Sequence, residues 1–151
     1  EARWQELLGT ELFRAAGIYG PGRSPFDALR DGTARIIEHR GQLFNRIHVD
    51  DICRIIIAAM TRPRRGRIVN LADEKPAAQG DVVRHAASLL GVDPPAPQSL
   101  AEANPSPMAR SFYVARRQVG SKVIGPELRL RLLYPDYESG LAAILEAETA
   151  G

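Results

Sequence analysis

The sequence predicts an α/β fold, because short extended segments alternate with amphipathic helices along its 151 residues. Apolar residues recur at helical spacing over 50–60 and 79–90, and the β-branched run 67–72 lies between these two helices. With 44% hydrophobic and 25% charged residues, the composition is that of an ordinary globular protein that can bury a core.

Extended segments and helices are predicted in alternation. The extended segments are 10–16, 35–38, 42–47, 67–72 and 131–134, and the helices are 26–30, 50–60, 79–90, 121–128 and 136–148. Glycines and a proline predict a loop at 17–22, and five prolines predict a linker or surface loop between 93 and 107.

Two of the helices have a predicted buried face. In the 50–60 helix it consists of Val49, Ile52, Cys53, Ile56 and Met60, and it is widened by Ile55 and Ile57. In the last helix it consists of Tyr137, Leu141, Ile144 and Leu145. Asp50 or Asp51 is expected to cap the first of these helices, and Gly91 to end the 79–90 helix in a left-handed conformation.

Charge and composition exclude several classes of function. The net charge is only +2, and the arginine cluster 62–67 is expected to be a solvated turn, so a nucleic-acid partner is not predicted. The longest apolar run, 55–60, is far too short for a membrane span. Cys53 is the only cysteine and is predicted to be a buried structural thiol, which indicates a reducing compartment and a cytoplasmic protein.

Gly17, Gly20 and Gly22 resemble a dinucleotide-binding fingerprint in a different order. A loop that cradles a pyrophosphate must open directly into a helix, with an acidic residue about 20 positions later. Here Pro21, Arg23 and Pro25 follow instead. The loop is therefore predicted to line a pocket or to form a plain turn, and not to bind phosphate.

Four segments together resemble one family. Residues 13–22 (FRAAGIYGPG) and 46–52 (RIHVDDI) are similar to segments of the extended short-chain dehydrogenase/reductase, or NAD-dependent epimerase/dehydratase, family. Residues 68–72 (IVNLA) and 134–141 (YPDYESGL) also match, in the same order. The resemblance implies that residues 1–151 are the C-terminal half only: the last part of a Rossmann-like doubly wound sheet plus a small α/β substrate domain.

In that family the glycine-rich loop and the catalytic Tyr-x-x-x-Lys both precede the matching segments, and neither occurs here. The residues four positions after the chain's tyrosines are Arg23, Arg117, Glu138 and Leu141. No catalytic residue is therefore predicted. The resemblance implies that the intact protein binds NAD or NADP, that this chain alone binds neither, and that its partner is a missing N-terminal half, without which two copies are expected to associate.

The resemblance also indicates candidate site residues. Ala16, Gly17 and Ile18 are predicted to contact the cofactor, and a further set is predicted to contact the substrate: Tyr19, Phe44, Arg46, Arg110 and Phe112. An arginine can bind a carboxylate or phosphate bidentately, so a small anionic substrate is expected. For Arg46 and Arg110 an ion pair with a neighbouring carboxylate is the alternative.

Two positions depart from the family's pattern. Relatives that act on nucleotide sugars typically have Asn where Gly17 stands and Arg where Phe44 stands. A non-catalytic binding or scaffold protein that keeps the fold is therefore the alternative function. His48 beside Asp50 and Asp51 is a poor metal-ligand set, and no metal is predicted.

Overall fold

A computed structural model of the chain describes residues 2–6, 10–39, 41–114 and 118–150. Its strands are β1 (Leu12–Ala15), β2 (Gly17–Tyr19), β3 (Ile36–Glu38), β4 (Arg46–His48), β5 (Ile68–Leu71) and β6 (Pro97–Ser99). Its helices are α1 (Ala2–Gln5), α2 (Pro25–Arg30), α3 (Val49–Thr61), α4 (Gln79–Leu90), α5 (Leu100–Ala103), α6 (Pro107–Val114), α7 (Ile124–Leu128) and α8 (Tyr137–Ala150). Within these ranges, no helix has the length and apolar content needed to cross a bilayer.

The strands pair in parallel: β1 with β5, β2 with β4, and β3 with β6. Parallel strands cannot be joined by a tight hairpin, so their connections cross over through helices. The α/β class predicted from the sequence is confirmed. In the β1–β5 pair Leu12 lies opposite Ile68 and Ala15 opposite Leu71, which aligns the carboxyl ends of both strands at one edge.

The buried side chains form two clusters. The first lies between α2, α4 and α8 and contains Tyr19, Phe26, Val82, Ala86, Tyr137, Leu141 and Ile144. The second lies between α3, α7 and the β1–β5 pair and contains Ile47, Ile55, Ala59, Val69, Leu71, Ile124 and Leu128. Each large aliphatic side chain buried in this way stabilises the fold by about 1.5–3 kcal/mol.

Several predicted elements are confirmed. Helix α4 ends at Gly91, which has φ 67° and donates its N–H to Ala87 and Ser88, as expected of a left-handed cap. The predicted inward residues of α8 are buried or packed against the first cluster. The predicted strand 10–16 contains β1, and the helical turn 26–30 lies within α2.

The predicted buried face of α3 is confirmed only in part: Ile55 is buried and Ile52 packs against the second cluster, but the other predicted residues are exposed. Asp51, Ile55 and Ala59 are buried, whereas Met60 is 74% exposed and Cys53 is an exposed thiol. The reason is that Asp51 accepts hydrogen bonds from the backbone N–H groups of residues 133 and 134, at 2.7 and 2.9 Å. A fully buried carboxylate needs such partners, and they fix which face of the helix turns inward.

The predicted cap of α3 is also wrong. His48 is the N-cap residue, and its Nδ1 accepts from the N–H of Asp50 at 3.2 Å. Arg67, assigned to a solvated turn from the sequence, is instead 5% exposed and paired with Glu11 through Nε at 2.9 Å.

Three further predictions of secondary structure are corrected. Residues 17–19 form strand β2 and not a loop, because they pair with Arg46–His48. Residues 131–134 are irregular and not a strand, since the Asp51 carboxylate takes the N–H groups at 133 and 134. The proline-rich stretch 93–107 contains β6 and α5, where Ser99 and Glu102 form a capping box.

Candidate functional site

A cleft of about 800 Å³ opens at the carboxyl end of β1, beside β2 and α6. Six of the eight predicted site residues line it: Ala16, Gly17, Ile18, Phe44, Arg46 and Phe112. Ligands of open α/β sheets bind beyond the carboxyl ends of strands, and a ligand pocket usually measures about 300–1,000 Å³. The position and the volume both suit a small-molecule site.

Strand pairing brings the predicted cofactor and substrate residues together. In the β2–β4 register Gly17 lies opposite Arg46, and the Gly17 N–H donates to the carbonyl of Asn45 at 3.2 Å. A Cβ atom added at Gly17 would stand 3.4 Å from that same carbonyl oxygen. Any side chain at position 17 would therefore lie against the Asn45 carbonyl in the cleft wall.

The Arg46 guanidinium is fixed by the backbone. Its Nη1 donates to the carbonyls of Phe44 and Ala77, at 3.0 and 3.1 Å. Burial lowers the pKa of Arg46, while the charge of Asp73 acts in the opposite direction. Among the described contacts Arg46 forms no ion pair with Asp50 or Asp51.

Asp73 was missed by the sequence analysis. It follows β5, is 3% exposed, and donates its backbone N–H to the Arg46 carbonyl at 2.6 Å. Neither of its carboxylate oxygens has a hydrogen-bond partner in the described structure, and burial raises the pKa of Asp73 to about 7. Its position at the carboxyl end of a strand is the signal that could have identified it.

Two predicted site residues lie outside the cleft lining. Tyr19 is 7% exposed; its hydroxyl donates to the carbonyl of Asp136 at 3.3 Å, and burial raises its pKa. Its ring passes over Gly140, where an added Cβ would overlap the hydroxyl. Arg110 is exposed on α6. Substrate binding by Tyr19 and Arg110 stays a prediction.

Aromatic side chains form one wall of the cleft. Phe44 and Tyr113 meet edge to face, with ring centroids 5.4 Å apart, and Phe112 is 59% exposed beside them. Tyr113 and Arg23 also line the cleft and were not predicted. Tyr113 lies in α6, a helix that the sequence did not predict, and Arg23 was considered only as a residue that follows the glycines of 17–22.

His48 is buried behind this site and does not line the cleft. Its ring is 2% exposed and lies 4.2 Å from the Tyr134 ring, and burial lowers its pKa. Across the part of the chain that the structure describes, no group of three or more His, Cys, Asp or Glu side chains is placed to hold a metal ion.

The start of the glycine-containing segment forms one edge of the cleft. Ala16, Gly17 and Ile18 offer a small, apolar surface at its edge, with Ile18 38% exposed. The nearby glycines do not form a phosphate cradle, because Gly20 and Arg23 exchange backbone hydrogen bonds. Helix α2 then begins with Pro25 after its Ser24 cap.

Comparison with solved structures defines the fold as that of Rossmann-like epimerases and dehydratases. A nucleoside-diphosphate-sugar epimerase from Pseudomonas aeruginosa superimposes with a TM-score of 0.75 at 18% identity, over 99% of this chain and 52% of that chain. The dTDP-glucose 4,6-dehydratase of Streptomyces venezuelae, solved with NAD and TYD bound, superimposes with a TM-score of 0.71 at 20% identity, over 95% and 44%. At these identities the likeness concerns the fold.

Two proteins are more similar in sequence. A conserved protein of unknown function from Silicibacter pomeroyi DSS is 42% identical, with a TM-score of 0.92 over 97% of this chain and 52% of that chain. Protein YeeZ of Escherichia coli (strain K12) is 33% identical over 91 residues, which are 59% of this chain and 32% of that protein. The chain matches no protein-family model. The chain spans about half the length of the solved structures, and its matched segment covers about a third of YeeZ.

Proposed function

We propose that residues 1–151 are the substrate-side part of an NAD(P)-dependent oxidoreductase, epimerase or dehydratase. The complete protein is then this chain joined to a dinucleotide-binding half. The observation that carries the proposal is the cleft itself, in which three predicted cofactor residues and three predicted substrate residues lie together at the carboxyl end of β1. The solved structures with this fold are about twice as long, which supports a second half.

In the complete protein, Ala16, Gly17 and Ile18 would hold the nicotinamide end of the cofactor, and the other half would hold the pyrophosphate. The cofactor supplies the hydride chemistry when bound. Phe44, Arg46 and Phe112 would then position the substrate. No residue of this chain is assigned as acid or base, because its sequence has no Tyr-x-x-x-Lys.

The apolar outer face of α3 is the proposed contact with that second half. It contains Val49, Cys53, Ile56, Ile57 and Met60, and Ile57 and Met60 are 61% and 74% exposed. An apolar helix face at this spacing ordinarily packs against another element. The exposed thiol of Cys53 suits a reducing compartment, so we assign the protein to the cytoplasm.

A substitution in the cleft tests this proposal. The complete protein should bind NADH or NADPH, and Gly17→Leu should weaken that binding about tenfold or more, since its side chain would occupy space beside Asn45 and Arg46 in the cleft lining. Gly120→Leu is the matched control, because an added Cβ there meets nothing within 4 Å. Absence of dinucleotide binding, or equal effects of the two variants, contradicts the proposal and favours a binding or scaffold protein.

A further inference from the structure

The charged side chains that line the cleft have one sign. Arg23 and Arg46 line it, and no carboxylate does so among the described residues. Asp73, whose charge raises the pKa of Arg46, is not part of the lining. Within the described ranges neither guanidinium has a carboxylate oxygen within salt-bridge distance. Two unpaired arginines facing one cleft favour a ligand that carries an anionic group.

Each side-chain amide that lines the cleft makes at least one hydrogen bond to the backbone. Asn45 donates through Nδ2 to the Val119 carbonyl at 3.1 Å and accepts through Oδ1 from the Val119 N–H at 2.9 Å. Gln79 bonds the backbone of 35–37 through both ends of its amide, at 3.0 and 2.6 Å. Gln42 donates to a backbone carbonyl of α6 at 2.8 Å. A sugar needs partners for several hydroxyl groups, and leaving them unpaired on burial is costly.

Apart from the hydroxyl groups of Tyr113 and of Ser111, which donates to the Met108 carbonyl at 2.7 Å, the remaining surface of the cleft is largely apolar and aromatic. Phe44 and Tyr113 present a pair of rings in edge-to-face contact, and Phe112 is 59% exposed. Ile18 and Val119, also in the lining, are 38% and 40% exposed. Such a wall is covered best by a ring-bearing, apolar ligand, because aromatic side chains bury large areas against flat groups.

We propose that the substrate of this cleft is an aromatic acid: an apolar ring that carries a carboxylate or a phosphate ester, and not a sugar. The ring would lie against Phe44, Phe112 and Tyr113, and the anionic group would meet Arg46 and Arg23. This assignment rests on the proposed function, since it gives a substrate class to the same cleft. It differs from the sugar substrates named for the solved structures of this fold.

Three small-molecule probes distinguish recognition of the aromatic ring from recognition of the anionic group. Phenyl phosphate and glucose 1-phosphate carry the same anionic group on different bodies, and 3-phenylpropionate carries a carboxylate on the aromatic body. In calorimetric titrations of the complete protein, phenyl phosphate or 3-phenylpropionate should have an affinity about tenfold or more above that of glucose 1-phosphate. The better of the two aromatic probes identifies the anionic group.

Substitutions then test the two contacts. Arg46→Gln should weaken binding of the aromatic probe about tenfold or more, whereas Arg65→Gln, at an exposed residue outside the cleft lining, should leave it unchanged. Because Arg46 also holds two carbonyls, Arg23→Gln is a second variant that breaks no side-chain hydrogen bond of the described structure, and it should weaken binding as well. Phe112→Ala should weaken the aromatic probes and leave glucose 1-phosphate unaffected.

NADH and NADPH are each titrated into the same samples, so that the two proposals can fail separately. If NADH or NADPH binds and glucose 1-phosphate binds as tightly as the aromatic probes, the substrate class is wrong and the proposed function stands. If an aromatic probe binds through Arg46 and neither NADH nor NADPH binds, the proposed function is wrong and the ligand class stands. If no aromatic probe binds, or if Arg65→Gln weakens binding as much as the cleft variants, the assignment to an aromatic acid is overturned.

Discussion

Asp73 should make folding less stable as the pH rises, because its carboxyl is buried without a partner. Burial raises its pKa from 3.8 to about 7. Between those two pH values the folded chain keeps a proton that the unfolded chain has released, so stability falls with increasing pH. Within this interval each pH unit lowers the free energy of unfolding by about 1.4 kcal/mol, so the total decrease from below pH 4 to above pH 7 is about 4 kcal/mol.

Asp73→Asn removes this titration and keeps the shape of the side chain. We expect the variant and the unmodified chain to have similar stabilities near pH 4, and the variant to be more stable by a few kcal/mol near pH 8. Urea unfolding followed by circular dichroism across that range measures the difference at each pH, and it cancels contributions of the other titrating groups. The reasoning is refuted if the variant is less stable at pH 8, since the attraction between the Asp73 carboxylate and Arg46 would then outweigh the cost of burial.

Two further predictions concern helix α3: the contacts that orient it, and the association of two chains through its outer face. Asp51→Ala should lower the free energy of unfolding in urea by about 2–4 kcal/mol, because two backbone N–H groups lose their acceptor. Asp50→Ala is the control and should lower it far less, since the Asp50 carboxylate is 56% exposed. Similar losses for both variants would contradict the assignment of Asp51 as the residue that orients the helix. The 151-residue chain should self-associate through the apolar outer face of α3, so Ile57→Lys combined with Met60→Lys should shift it toward monomer in sedimentation velocity, while Val92→Lys should not. An unchanged sedimentation profile would assign the association to another surface.

The positions of helices and strands could be predicted from the sequence better than which of their faces are buried. The 49–61 segment has isoleucines at 52, 55, 56 and 57, so more than one helical face is apolar. Periodicity alone then selects the wrong face. The deciding contacts come from the Asp51 carboxylate to backbone groups 82 and 83 residues away, and no local pattern contains them.

The residues of the candidate site were likewise predicted only in part. Residues 16–18, Phe44, Arg46 and Phe112 were located because a resemblance to known segments preserved their order along the chain, and all of them line the cleft. Tyr19 follows directly after this run, yet alternation along β2 turns its side chain into the first buried cluster. Asp73 carried no motif, and its unusual surroundings depend on how β5 ends beside Arg46.

The most direct test of the proposed function is a pair of calorimetric titrations with NADH and NADPH, one on the 151-residue chain and one on the complete protein. The account predicts no detectable binding by the chain alone, because its glycine-containing loop does not open into a helix that could receive the pyrophosphate. It predicts micromolar or tighter binding of one dinucleotide by the complete protein. Micromolar binding by the chain alone, or no binding by the complete protein, would contradict it.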